Sequence, residues 1–286
     1  MGEFMKIVHM IEDYGILCNE AKNVGKFEAY ENYTKKYPAF FQSVFRFLYC
    51  QPIERLKPMI EQTDFKNLLQ VAENNYKQGT VDYAILSAKR FVERMNVDFE
   101  FTFLLGLELS NIGGCALPDD EYEPNLYIGI DRPLSKDQID ILIPHEIIHM
   151  VRHHTVKDGF PDTVLSRAVE EGLASYAPLW IHNPEWNVAN VAKTLNVSEA
   201  QADNLMKNTA ALTEKLLSDG DAPISSETMR EYFTSTSVDD DFPVKGYYLG
   251  LYFTHLSVKN GTEFEKLIFM PKEKIADIWL TDFIRY

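Results

Sequence analysis

The sequence predicts an α+β fold, and three observations carry that expectation. Apolar residues recur at helical spacing through the first third of the chain, to about Asn96. The period then falls to two, with Phe99, Phe101, Phe103 and Leu105 alternating with other residues, the pattern of a strand with one buried face. From Ser135 onward the spacing is again mostly helical. Helices, a small sheet, then helices make an α+β plan, and 286 residues suffice for one large or two modest domains.

The elements follow in order. Met1-Gly2-Glu3-Phe4 ahead of Met5 reads as a cloning remnant, so residues 1–4 are set aside. Residues 5–96 form the helical N-terminal region. One helix starts at Tyr37-Pro38 and carries Phe40, Phe41, Val44, Phe45 and Leu48; a second runs from Asp64 to Tyr76 and stops at Gly79; a third begins after Thr80. Their Phe and Tyr stripe is expected to be core. Residues 97–286 form the second region. After the Phe99–Leu105 strand, Asn111-Ile112-Gly113-Gly114 gives a turn and the acidic segment Asp119-Asp120-Glu121 follows. Leu126 to Asp131 is a further strand, for a sheet of about three strands. Capping-box spacings place helix starts at Ser135 with Gln138, Ser198 with Gln201, and Thr262 with Glu265; Asn260-Gly261 ends the helix before the last of these.

Composition narrows the function. The apolar fraction is 45%, which suits a globular protein with a substantial core. With 28 basic and 43 acidic residues the net charge is −15, which argues against nucleic acid or an anionic membrane as partner. Cys18, Cys50 and Cys115 are dispersed and form no CxxC pair, so neither a disulfide framework nor a cysteine-built zinc site is expected, and a reducing compartment fits best. No signal-peptide pattern opens the chain, and no apolar run approaches the roughly 20 residues of a membrane span. The expectation is a cytoplasmic protein.

His145-Glu146-Ile147-Ile148-His149 spells H-E-x-x-H. On a helix the two histidines stand one turn apart, with Cβ atoms about 5–6 Å from each other. Two imidazoles can then reach one zinc ion at roughly 2.0–2.1 Å. Glu146 lies about 60° around the helix from His149. It flanks the metal face without occupying it, where a general base must be to take a proton from attacking water. Ile147, Ile148, Met150 and Val151 mark the helix as buried, a costly place for these polar groups unless they are satisfied. Pro144 removes one backbone bond, so the helix either begins near Asp140 or kinks just before His145.

The third ligand separates the alternatives. A third histidine six residues after His149 is ruled out, because Thr155 stands there and Arg152 occupies the required glycine position. Downstream lies Ala168-Val169-Glu170-Glu171-Gly172-Leu173-Ala174, and a turn around Gly159-Phe160-Pro161-Asp162 lets this second helix pack back on the first. Val164, Ala168, Glu171 and Ser175 share one stripe of it, so Glu171 is assigned as ligand. Glu170, about 100° away, is the alternative; it sits three residues after Arg167, a natural surface pair. His153 and His154 are expected to be helix C-terminal residues favoured by the dipole.

The pairing of H-E-x-x-H with Glu171-Gly172-Leu173-Ala174 on the next helix resembles the gluzincin metallopeptidases, which include thermolysin and the zinc aminopeptidases. The closer resemblance is to a bacterial family of predicted zinc-dependent proteases, over roughly Phe99 to Gly261. It implies a zincin-like (gluzincin) catalytic domain over residues 97–286. It also implies one zinc ion per chain, held by His145, His149 and Glu171, and a peptide or protein substrate. Tyr247-Tyr248-Leu249-Gly250 contains Y-x-x-G, and its Tyr247 is similar to the tyrosine that stabilises the tetrahedral intermediate in aminopeptidase-like gluzincins. Tyr248, Tyr252 and Phe253 are the alternatives. The chain departs from the better-known families in two places. Gly113-Gly114-Cys115-Ala116-Leu117 stands where aminopeptidases have G-x-M-x-N, and Ser175 stands where thermolysin-like enzymes place a carboxylate that orients a histidine. Another residue must then orient one histidine. Cys115, in a Gly-Cys turn as in peptide deformylase-type enzymes, is a further candidate ligand.

The expected chemistry is peptide-bond hydrolysis by metal-activated water, with Glu146 as base and Tyr247 supporting the oxyanion. An extended substrate is expected to pair with an edge strand at Tyr127, Ile128 and Gly129. The rivals are hydrolysis of a non-peptide amide and a silent zinc-holding binding or regulatory module. Loss of the base would be the mark of the latter, and Glu146 is present.

Overall fold

The computed structural model describes residues 4–117, 124–157, 161–182, 185–235 and 240–284. Met1 to Glu3 of the leader, the acidic segment Asp119-Asp120-Glu121 and the Gly159-Phe160 half of the expected turn lie outside the described residues. The chain divides into two compact units, Met1–Met150 and Val151–Tyr286.

The first unit holds β1 (Met5–His9), α1 (Ile11–Val24), α2 (Lys26–Thr34), α3 (Pro38–Ser43), α4 (Lys57–Gln62), α5 (Phe65–Lys77), α6 (Thr80–Arg94), β2 (Phe101–Gly106), β3 (Gly114–Cys115), β4 (Asn125–Gly129) and most of α7 (Lys136–Thr155). The α+β expectation is met, with a small mixed sheet of four strands in the order β1-β2-β4-β3. β1, β2 and β4 run parallel, and β3 is antiparallel to β4. Parallel neighbours need a long crossover, and between β1 and β2 the helices α1 to α6 supply it. The N-terminal region is therefore not helical throughout, since Met5–His9 is a strand of the sheet.

Local sequence accounts for the helix boundaries. Asp64 caps α5 through Asn67 N–H, and Gly79, at φ +70°, separates α5 from α6. The expected Tyr37–Leu48 helix is α3 with Pro38 in its first turn, continued by a π-helical turn at Val44–Leu48. Ser135 and Gln138 exchange both capping-box bonds at the start of α7. The aromatic stripe is core: Tyr14, Tyr30, Tyr33 and Phe41 are all buried, with rings in edge and tilted contact. Two carboxylates inside this unit shape the approach to β3. Asp131 accepts from the N–H groups of Glu108 and Ser110, and Glu108 accepts from those of Asn111 and Ile112. Burial pushes both carboxyls up from their ordinary range.

β4 departs from expectation. It lies inside the sheet, paired with β2 on one side and β3 on the other. All of its residues are buried, and the Tyr127 ring stacks on Phe40 with centroids 4.5 Å apart. Tyr127, Ile128 and Gly129 therefore cannot serve as an open edge. Among the described residues that edge belongs to β3.

The second unit opens on the last turn of α7. It continues with α8 (Val164–His182), α9 (Val188–Leu195), α10 (Glu199–Lys207), α11 (Thr209–Ser218), α12 (Ser226–Phe233), α13 (Lys245–Lys259), α14 (Phe264–Ile268) and α15 (Lys272–Ile284). Ser198 and Gln201 form the expected capping box on α10. The start expected at Thr262 with Glu265 is not formed: α14 begins after Glu263 and has no side-chain cap.

α8 and α13 are the central pair of this unit. A Cβ on Gly172 would stand 2.3 Å from the Gly250 carbonyl carbon, and one on Gly250 would stand 2.1 Å from the Ala168 carbonyl oxygen. Only glycine at both positions permits backbones to touch this closely. Gly172→Ala should cost about 3 kcal/mol, the upper end for overpacking. It should lower the melting temperature by roughly 5 °C at this chain length. A thermal melt within a degree or two of the parent would refute the close-contact reading.

Candidate metal centre

α7 carries the H-E-x-x-H residues in its third and fourth turns. The helix runs unbroken from Lys136 to Thr155 with Pro144 inside it, so it begins earlier than Asp140. Ile143, Ile147, Ile148 and Val151 are buried, and His145 and His149 are half-buried between them. Their Nε2 atoms are 3.2 Å apart. Glu146 is buried. Its Cγ lies 3.1 Å from where a Gly114 Cβ would be, so its stem rests against the edge strand β3. A side chain larger than hydrogen at position 114 would press on the proposed base.

α8 supplies the acidic partner. The ligand atoms of His145, His149 and Glu171 all lie within 4.8 Å of one another. A second such group is His149, His153 and Glu170. Cys115 is in neither; its thiol is buried and pushed up by desolvation, with Glu146 adding to the effect.

The two adjacent glutamates have different arginines. Arg167 sends Nη2 to Glu171 Oε1 at 2.7 Å, one helical turn away. Arg167 also donates to the Tyr247 hydroxyl oxygen and lies 6.0 Å from the Phe233 ring. Burial works against its charge, but Glu171 and then Tyr247 outweigh burial and hold its pKa above the ordinary value. Glu170 is not the surface partner of Arg167 that helical spacing suggested. It is buried and bound by Arg152, which is 1% exposed. Arg152 Nε is 3.0 and 3.1 Å from the two Glu170 oxygens, and Nη2 is 2.9 Å from Oε1. Arg152 Nη1 donates to the carbonyls of Ile268 and Met270 at 2.7 and 3.0 Å.

α13 presents two adjacent tyrosines to different surroundings. Tyr247 contacts Arg167 and lies edge-on to Phe233 with centroids 5.8 Å apart. Tyr248 is buried, and its hydroxyl is 2.5 Å from Thr209 Oγ1. Tyr247 is thus linked through Arg167 to Glu171, and Tyr248 is tied to α11.

No family model, curated protein or solved structure matches this chain.

The residues present fit a zinc ion. Two imidazole nitrogens and one carboxylate oxygen are the donors that zinc accepts in sites with three protein ligands. Two tetrahedral ligands at about 2.0–2.1 Å from one ion stand roughly 3.3 Å apart, close to the His145–His149 separation of 3.2 Å. Sequence reading missed both arginines. The Arg167–Glu171 pair had a signal, since the residues are at i, i+4. The Arg152–Glu170 pair had none, because it joins different helices.

Zinc should copurify at one equivalent per chain, as elemental analysis without chelators would show, and Glu171→Ala should reduce this to near zero. Retention of full zinc by Glu171→Ala would remove it from the ligand set.

Proposed function

We propose that this chain is a zinc-dependent hydrolase that cleaves peptide bonds, of gluzincin type. The observation that carries the reading is the convergence of His145, His149 and Glu171 beside a buried glutamate, Glu146, placed one residue along from a ligand and against the sheet edge. A bound zinc ion supplies Lewis-acid polarisation of the scissile carbonyl and makes water a usable nucleophile near neutral pH.

The remaining steps belong to the chain's own side chains. Glu146 accepts a proton from the attacking water and returns it to the leaving amine. Tyr247 donates its O–H to the oxygen on which negative charge develops. The Arg167 N–H occupies a lone pair of the phenol oxygen. An extended peptide would lie along β3, the terminal strand of the sheet, and pair with its backbone by strand addition. This replaces β4 in that role. The acidic net charge of −15 fits neither nucleic acid nor an anionic membrane surface as substrate. No helix among the described residues is long and apolar enough to cross a membrane.

Glu146→Gln keeps the shape of the side chain and removes its capacity to take a proton. The variant should bind zinc as the parent does and lose at least about a hundredfold in kcat on a peptide library, within the range for general-base removal. Activity within a few-fold of the parent would sink the assignment of the base.

Tyr247→Phe should lower kcat by about 10²–10³, as for loss of one oxyanion donor, with little change in KM. Tyr248→Phe should leave kcat near the parent value and cost stability instead, through the lost bond to Thr209. Steady-state kinetics of the two variants decide between them. The reverse pattern would move the donor to Tyr248.

A further inference from the structure

Zinc-ligating histidines usually donate their second ring N–H to an acceptor, which fixes tautomer and ring orientation. In neutral imidazole one nitrogen carries the proton, so a nitrogen offering its lone pair to a metal needs the proton on the other. The Nε2 atoms of His145 and His149 approach each other, which turns Nδ1 of each ring away from the ligand position. Ser175, one turn past Glu171, cannot supply a carboxylate to either ring.

We propose that Glu170 is the positioning residue of this centre: its carboxylate, clamped by Arg152, accepts the Nδ1–H of His149 and so holds that ring with Nε2 toward the ligand position. The assignment rests on the zinc reading above. Glu170 and His149 have ligand-capable atoms within 4.8 Å, with His153 in the same group. The clamp on Glu170 is rigid, with three short bonds to Arg152. Arg152 in turn is fixed on backbone carbonyls at Ile268 and Met270. Arg152 and His149 are three residues apart on α7. The same geometry argues against a second metal at His149, His153 and Glu170, because a cation there would face the Arg152 guanidinium at close range.

The test separates positioning from mere structural pairing. Removing only one of the two buried charges strands the other and destabilises the fold, so the main variant replaces both: Arg152→Met with Glu170→Leu. A buried ion pair exchanged for apolar side chains is often neutral for stability, and the zinc-free protein should melt as the parent does. Its zinc affinity, measured by competition with a chelating indicator, should fall by about 10–100-fold. Arg152→Met with Glu170→Gln returns a neutral acceptor to the same place and should recover part of that loss. Glu170→Asp keeps charge and clamp but draws the carboxylate back by one methylene. It gives a second reading, and it should also weaken zinc binding. Unchanged affinity in the apolar pair, or in Glu170→Asp should the apolar pair fail to fold, overturns the assignment while leaving the zinc site standing. A parent chain that binds no zinc overturns both.

Discussion

Helices α8 and α13 touch backbone to backbone at Gly172 and Gly250, and the direction of every other side chain on that stretch of α8 follows from this contact. At 100° per residue, Glu171 and Glu170 are turned successively away from the face that Gly172 gives to α13. One is carried to the side where Arg167 and Tyr247 meet, the other to the side where Arg152 enters. A Cβ at either glycine would push the helices apart and swing both carboxylates. Gly172, directly after Glu171, thus has a geometric role that its chemistry does not reveal.

Burial of two adjacent carboxylates is the energetic problem that this geometry creates. Each is 3% exposed, and two unpaired charges so placed would cost several kcal/mol apiece. Two arginines offset the cost in different ways. Arg152 is itself fully buried, spends its remaining N–H groups on carbonyls at the end of α14, and binds both oxygens of Glu170. Arg167 reaches Glu171 along its own helix and is more exposed, at 18% of its side chain. Glu170 is therefore the more tightly committed of the pair. Glu171, the proposed ligand, is the one whose counter-ion sits farther from the interior.

The parts of this arrangement that could be read from sequence are those set by local geometry. His145 and His149 share a helical face because any α-helix puts residues i and i+4 together, and the same spacing turns Glu170 and Glu171 about 100° apart. The strands β2 and β4 announced themselves by period and apolar content. What could not be read depends on partners distant in the chain. β1 is a five-residue strand whose neighbour lies 96 positions later in register, at Met5 and Phe101, and nothing local distinguishes it from the start of a helix. Whether β4 is inner or outer is decided by the two-residue β3, too short to show a period. The run Leu126-Tyr127-Ile128 did hold a hint, since continuous apolar residues mark a strand covered on both faces. Arg152 was invisible for the same reason, because its carbonyl partners lie more than a hundred residues on.

Arg167 joins the proposed ligand Glu171 to the proposed oxyanion donor Tyr247, and the consequence is electrostatic. Its guanidinium is shared between the Glu171 carboxylate and the Tyr247 phenol oxygen. In a site of low dielectric each of these interactions is strong, and neither is screened as it would be in water. The more of its negative charge Glu171 commits to a ligand on its other side, the less it neutralises Arg167. The guanidinium then polarises the Tyr247 hydroxyl more strongly and makes it the better hydrogen-bond donor. Tyr248 has no such connection, since Thr209 is a neutral partner on another helix. The two tyrosines, identical in type and adjacent in sequence, are thus distinguished by one arginine four residues before Glu171. On this view the i, i+4 pair on α8 does more than stabilise the helix: it ties the state of the proposed metal site to the acidity of the proposed oxyanion donor.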